Sequence, residues 1–438
     1  MTMRTNEVPP GGRTRRTLAT TGATLVTLCS LVSGCVFSGD EGEAMDVVWD
    51  TPADRKAEPQ GEGAWLSGDT LVRSRFDAVS GFDARTGKRS WEYVPPGRSA
   101  VCHATADTDG SVLVLTRDGD GASASAKGKP CATAVAIDMK DGRELWKAPL
   151  GEPDPPRLQH SSVSAGSGVA VLLQKDDLHA VDVRTGKSRW KAALPKDCVP
   201  GRTAVAERQV AALLACGGTD NIWGDKVTED AELHVATFDP ATGALVWSAP
   251  LGGRRAILWD ASAEFVSADP VVVAASESND SEAGAYLSFG RNGRPNPPID
   301  FSGPYGEIEF HDRLRAAADG DRLYLLPRHR KVDRLTVFDL ATGAAVWGGT
   351  RHDDLYEGDS GYQLVLQDGK LTLLTSHRRD PYRLHDFDPA TGKRREVRVL
   401  PDDLGPVDKL LTYEGRLIVA RYDAYSTGSR PFTAYERR

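Results

Sequence analysis

The groups with chemistry to offer in this 438-residue chain are six cysteines, nine scattered histidines and a set of regularly spaced aspartates. Cys29 and Cys35 fall near the start, and Cys102, Cys131, Cys198 and Cys216 follow. No Cys-x-x-Cys occurs, so a thioredoxin-like or zinc reading has no support. Asp107-Thr108-Asp109-Gly110 and Asp118-Gly119-Asp120-Gly121 hint at calcium loops, but neither completes the EF-hand spacing, and both read as turns. Gly186-Lys187-Ser188 lacks the upstream glycine of a phosphate loop. Neither a nucleophile elbow nor a metalloprotease motif occurs in a convincing context. No catalytic residue, cofactor or metal is therefore assigned. The aspartates recur in one pattern, apolar-Asp-x-x-Thr-Gly-x-x-x-Trp, and six good copies make separate catalytic roles a poor explanation.

Composition narrows the classes. The net charge of −8 argues against a nucleic-acid binder, whose footprint is basic. Charged residues at 26% and hydrophobic ones at 40% argue against a disordered chain.

The N-terminus reads as an address. Arg13, Arg15 and Arg16 precede a short apolar stretch, Thr17 to Leu31, as in an export signal. Thr14-Arg15-Arg16-Thr17-Leu18 partly resembles a twin-arginine signal, which leaves Sec and Tat export both open. Leu31-Val32-Ser33-Gly34-Cys35 resembles the lipobox of bacterial lipoproteins. That resemblance implies cleavage before Cys35, a lipid on Cys35, and anchoring outside the cytoplasm at the cell membrane. The expected organisation is a signal peptide at 1–34, a tether at 35–45 and a folded domain at 46–438.

The recurring aspartates define the elements that position everything else. Copies stand at Asp83, Asp138, Asp182, Asp239, Asp339 and Asp388, with weaker ones at Gly290 and Glu436, a period of about 50 residues. Trp91, Trp146, Trp190, Trp247 and Trp347 complete five of them, and Glu396 stands where the sixth would have its tryptophan. Each Asp follows a β-rich run such as Thr133-Ala134-Val135-Ala136-Ile137. Asp and Thr side chains bond turn amides and Gly supplies positive φ. The Trp on the next strand buries a large area. A second turn upstream of each copy, such as Asp109-Gly110 or Gly320-Asp321, gives four strands per repeat. The pattern predicts an all-β chain, an eight-bladed β-propeller of four-stranded blades, with seven blades as the alternative. The last repeat lacks an outer strand. Asp46-Val47-Val48-Trp49 matches Ala244-Leu245-Val246-Trp247 and is expected to supply it, closing the ring.

This repeat resembles the PQQ-like β-propeller family. The family includes quinoprotein dehydrogenases and non-enzymatic bacterial lipoproteins such as the outer-membrane barrel-assembly scaffold. For the dehydrogenases the resemblance implies a vicinal Cys–Cys disulfide, a Trp floor, calcium ligands and an Asp base. No two cysteines are adjacent here, and most of the nine tryptophans belong to the repeat.

Within such a ring the long, varied loops, 117–131, 217–231, 276–283, 328–333, 376–382 and 422–431, fall on one face. Variable loops on a rigid scaffold are where function sits. All four remaining cysteines flank loops of that face, which favours Cys102–Cys131 and Cys198–Cys216. Charge is polarised there. Asp220, Asp225, Glu229 and Glu277 lie on one side, and Arg328, His329, Arg330, His377, Arg378 and Arg379 on the other. Trp223, His329, Arg330, His377, Arg378, Arg379, Tyr422 and Tyr425 are the candidate interface, since aromatic and arginine side chains are enriched at contacts. The reading is a monomeric, membrane-anchored scaffold for an unknown envelope protein or polymer. A quinoprotein oxidoreductase or a small-ligand or carbohydrate-binding propeller is the alternative.

Overall fold

The computed structural model describes residues 42–53, 63–105, 110–118, 131–150, 163–174, 176–217, 232–255, 262–276, 284–308, 315–329, 332–348, 360–367, 369–376, 381–401, 404, 407–421 and 430–438. The described chain is built from β-strands, with one 3₁₀ turn at Pro96–Arg98 and no α-helix. No helix among these residues is long and apolar enough to cross a membrane.

The strands form successive four-stranded antiparallel units. The first runs Gly63–Ser67, Thr70–Ser74, Val79–Asp83 and Arg89–Tyr93. Similar units begin at Val101, Val163, Cys198, Ser262, Ala316, Ser360 and Val407. Second strands such as Val112–Arg117 and Val271–Ser276 are buried throughout, because a neighbouring unit covers each face. Continuous apolar runs, rather than alternating ones, are what such strands require.

Each seam between successive units holds its own apolar cluster. One of them closes the circle, packing Leu411, Tyr413, Ile418 and Phe432 of the last unit against Ala64, Leu71 and Phe82 of the first. The last unit, Val407–Tyr413, Arg416–Arg421 and Phe432–Arg437, takes its fourth strand from Glu43–Asp50. Met45 pairs with Arg437, Val47 with Tyr435 and Asp50 with Thr433. Thr51 and Phe432 exchange hydrogen bonds beyond the strand's end, at 3.0 and 2.9 Å. The strand begins at Glu43, three residues earlier than expected, so the end of the expected tether is part of the ring. Glu43 and Ala44 also pair in parallel with Arg398 and Val399, which joins the last two units into one eight-stranded sheet.

One element departs from the sequence reading. Residues 328–333 were expected as a plain loop. Arg328–His329 and Val332–Asp333 instead form a hairpin that pairs with a second hairpin, Ser302–Gly303 and Gly306–Glu307. Tyr305 anchors it, meeting Phe338 edge-on at a centroid distance of 4.9 Å and donating to the Asp300 carbonyl. Burial pushes the Tyr305 hydroxyl up to about 12. Two-residue strands paired between distant segments leave no periodic signal to read.

Candidate functional site

The repeat motif is structural down to its atoms. Asp182 Oδ1 accepts from the Thr185 amide at 2.9 Å and the Thr185 hydroxyl at 2.8 Å, and the Gly186 amide closes the turn on the Asp182 carbonyl at 2.8 Å. Asp83, Asp239 and Asp339 make the same set. At Asp138, where Asp141 replaces the threonine, amides alone supply the bonds. Hydrogen bonds from Arg189 and then Thr185 hold the Asp182 carboxyl down at about 2. Asp239 and Asp339 are lowered chiefly by Thr242 and Thr342, and Asp388 by Arg395.

The motif tryptophan does its work in the next unit. Trp49, Trp91, Trp146, Trp190, Trp247 and Trp347 lie against Gly87, Gly142, Gly186, Gly243, Gly293 and Gly392. A Cβ on any of these glycines would sit 2.4–2.7 Å from the indole. Their φ values of 67–77° also belong to the region glycine favours. Trp146 Nε1 donates to the Val183 carbonyl at 2.7 Å and Trp190 Nε1 to that of Pro240 at 2.9 Å. Two seams differ. Pro297 covers Gly343, and Glu396 points its carboxylate at Arg437, 2.8 Å away, leaving a cavity of about 180 Å³ between the last two units. Thr372, Asp386 and Arg398 line it, with Arg398 Nη2 held to both Asp386 oxygens at 2.8 Å.

The four cysteines pair Cys102–Cys131 and Cys198–Cys216. Cys198 and Cys216 face each other across the first hairpin of their unit, at the end away from its turn. Both bonds therefore tie down the ends of strands that lead into long loops. Each closes a loop of 29 or 18 residues, worth on the order of 3 kcal/mol. Asp118 lies beside the first disulfide, its Oδ1 3.7 Å from Cys102 Sγ. The sulfurs are bonded to each other, so the cluster offers a metal only one carboxylate.

Most of the candidate interface lies outside the described residues: Trp223, Arg330, His377, Arg378, Arg379, Tyr422 and Tyr425, and with them Cys35. His329 is described in its backbone, at the tip of the unexpected hairpin, paired with Val332.

The inner strands enclose a site the sequence reading did not resolve into residues. A cavity of about 530 Å³ is lined by the inner strands of the second to fifth units and reaches their first turns at Ala206 and Asp269. Its polar groups converge from three strands. Arg202 Nη1 donates to Glu264 Oε1 at 2.8 Å, and the Ser164 and Thr203 hydroxyls meet at 2.8 Å. Thr105 and Phe265 also line it. The signal was present as polar residues inside Pro200-Gly201-Arg202-Thr203-Ala204 and Ser262-Ala263-Glu264-Phe265. It needed the ring to show that they converge. Across the ring a second polar group forms, with Arg73 3.8 Å from Asp408. Burial pushes the Asp408 carboxyl up, and Arg73 offsets only part of that shift.

Strand order, ring closure and the Asp-Thr-Gly-Trp wedge define a β-propeller, and its repeat is similar to the PQQ-like one. Residues 43–213 match the family described as outer membrane protein assembly factor BamB. The quinohemoprotein alcohol dehydrogenase of Comamonas testosteroni is 26% identical over 228 residues, covering 47% of this chain and 30% of that enzyme. The serine/threonine-protein kinase AfsK of Streptomyces griseus is 26% identical over 175 residues, covering 38% of this chain and 20% of the kinase. The chain thus spans less than a third of these relatives' length. Among solved structures, the Comamonas testosteroni enzyme superposes with a TM-score of 0.50 at 13% identity, covering 89% of this chain and 76% of that one. A europium-containing methanol dehydrogenase gives 0.50 at 12%, covering 89% and 92%. At such identities the likeness is one of fold.

The fold family raises the question of a bound pyrroloquinoline quinone, a flat tricarboxylate. The described cavity does not fit it. Its Arg202 is committed to Glu264, and neither disulfide joins adjacent residues. Three carboxylates would have to displace Glu264 from Arg202, the one arginine among the lining residues.

Proposed function

We propose that this protein is a lipid-anchored, extracytoplasmic scaffold that displays its long loops to an envelope protein or polymer. The observation that carries this is the placement of the two disulfides. Both fix strand ends that lead into long loops, Cys131 after 117–130 and Cys216 before 217–231. The opposite ends of the same hairpins are short turns that need no such support. Rigid loop bases lower the entropy lost when loops engage a partner. The lipobox resemblance at Cys35 supports anchoring, which would raise the local concentration of any membrane-bound partner. A diacylated or triacylated cysteine gives stable anchoring where one chain does not.

Two labels test the reading in cells. An alkynyl fatty acid should mark the protein and fail to mark a Cys35→Ala variant. A photoreactive residue at position 223 or 329 should cross-link a discrete partner, while the same residue at the turn position Ser167 should not. Labelling that survives Cys35→Ala, or cross-links confined to Ser167, would overturn it.

A further inference from the structure

The strand that completes the last unit also fixes where the chain joins the ring. Four residues before Trp49, Met45 stands at the place of the motif glycine. Glu43 and Ala44 therefore occupy the position of the turn that joins the third and fourth strands in the other units. Pairing agrees, since Met45 lies opposite Arg437, the last residue of the third strand. The chain before Glu43 is thus joined to the ring at its short-turn face and not at its loop face. Cys35 to Gly42 is eight residues, which reach at most about 29 Å when fully extended. A lipid on Cys35 would keep the short-turn face near the bilayer. That orientation rests on the anchoring proposed above, whereas the charge of the turns does not.

The neighbours of the last unit are the first unit and the one before it. Their turns 83–89 and 388–395 each carry three cations and one aspartate, and the turn 182–189 has the same count. The turn 138–144 carries Lys140 and Arg143 against three carboxylates. The equivalent turns 239–245 and 339–345 keep the aspartate and have no cation, with Ala244 and Ala344 where Lys88, Lys187 and Lys393 follow the motif glycine. Several arginines of these turns are already committed. Arg85 meets Glu414 at 2.8 Å, Arg89 meets Glu92 at 2.9 Å, and Arg189 meets Asp182 at 2.6 Å. The lysines are not. Lys88, Lys187 and Lys393 are exposed, and among the described residues their ammonium groups have no hydrogen-bond or ion-pair partner.

We infer that the short-turn face lies against an anionic lipid surface, with Lys88, Lys187 and Lys393 toward the headgroups and the long loops turned away from the bilayer. An ammonium is a compact, hydrated charge that attracts lipid phosphates without burying apolar area, and salt screens the attraction. The chain's net charge of −8 gives no such attraction by itself, so it is the placement of the lysines that supplies it.

Vesicle sedimentation of the full-length Cys35→Ala chain tests the face apart from the anchor. The probe is vesicles of about one-third phosphatidylglycerol in phosphatidylcholine. Combining Lys88→Gln, Lys187→Gln and Lys393→Gln should weaken binding at least about tenfold at unchanged melting temperature. Lys196→Gln should change nothing, because Lys196 lies past the other end of its outer strand, Ser188–Lys191. The N-terminal segment is the same in all these chains, so the difference reads the turns. Orientation is read on the lipidated protein in the same vesicles. A photoreactive residue at position 393 should cross-link phospholipid, and one at position 196 should not. If an alkynyl fatty acid fails to mark the protein, the anchoring reading falls and the sedimentation result still decides this one. The inference is overturned if the triple variant binds the anionic vesicles like its parent, or if position 196 cross-links phospholipid as well as position 393.

Discussion

An indole meeting a glycine hydrogen is the smallest unit that explains this molecule. At Trp190 and Gly243 the approach leaves no room for a methyl group, and Trp190 Nε1 reaches the Pro240 carbonyl at 2.9 Å. Trp190→Ala should cost about 3–5 kcal/mol, read as a shift in denaturant midpoint at constant slope. A loss below about 1 kcal/mol would mean the seam closes without the wedge. The motif aspartates give a pH dependence with a definite sign. Asp182 is lowered from 3.8 to about 2, and Asp239, Asp339 and Asp388 move the same way. Their contribution is complete above the ordinary carboxylate value and is lost as pH falls through the folded values. Stability should therefore fall between about pH 4 and pH 2, and an Asp182→Asn variant should lose part of that slope. At this scale the sequence was informative, because Asp, Thr and Gly act within five residues of one another. Thr105, Arg202 and Glu264 were not legible as a set, because only the closed ring brings residues 97 and 62 positions apart to one cavity.

Among the elements, the strand Glu43–Asp50 carries the most consequence. It was legible through Trp49, which repeats the outer-strand pattern, and it pairs with the final strand from Met45 to Asp50. Arg438 holds Asp46 at 2.8 Å, and this bond lowers the Asp46 carboxyl. Removing residues up to Asp50 should expose Met45's pocket, the Trp49 seam and the edge of Phe432–Arg437. Two or three large side chains at about 1.5–3 kcal/mol each put the loss on the order of 5 kcal/mol. The shortened chain should also self-associate through its open edge, visible as a rise in mass by light scattering. A monomeric chain of unchanged melting temperature would show that the ring does not depend on this strand. The seam just before it is one of the two that lack the tryptophan wedge. Glu396 and Met45 stand where the wedge would form, and Arg437 bridges Glu396 and Glu43 at 2.8 and 3.6 Å. The small sheet of 302–307 and 328–333 escaped the sequence for the reason that makes it short: two-residue strands carry neither propensity nor period.

For the molecule as a whole, the sequence reading separates into what repeats and what does not. Strands, turns and wedges recur every 50 residues or so, and repetition makes them legible. The proposed function rests on parts that occur once, the lipobox-like cysteine and the loops among them, and a single instance has no period to expose it. The central proposal is that this propeller displays loops rather than running quinone chemistry. Calorimetric and absorbance titration of the purified protein with pyrroloquinoline quinone, with and without calcium, addresses it most directly. Because Arg202 is already held by Glu264, the expectation is no saturable binding in either condition. Saturable binding at submillimolar affinity or tighter would contradict that claim and make a quinoprotein oxidoreductase the leading account.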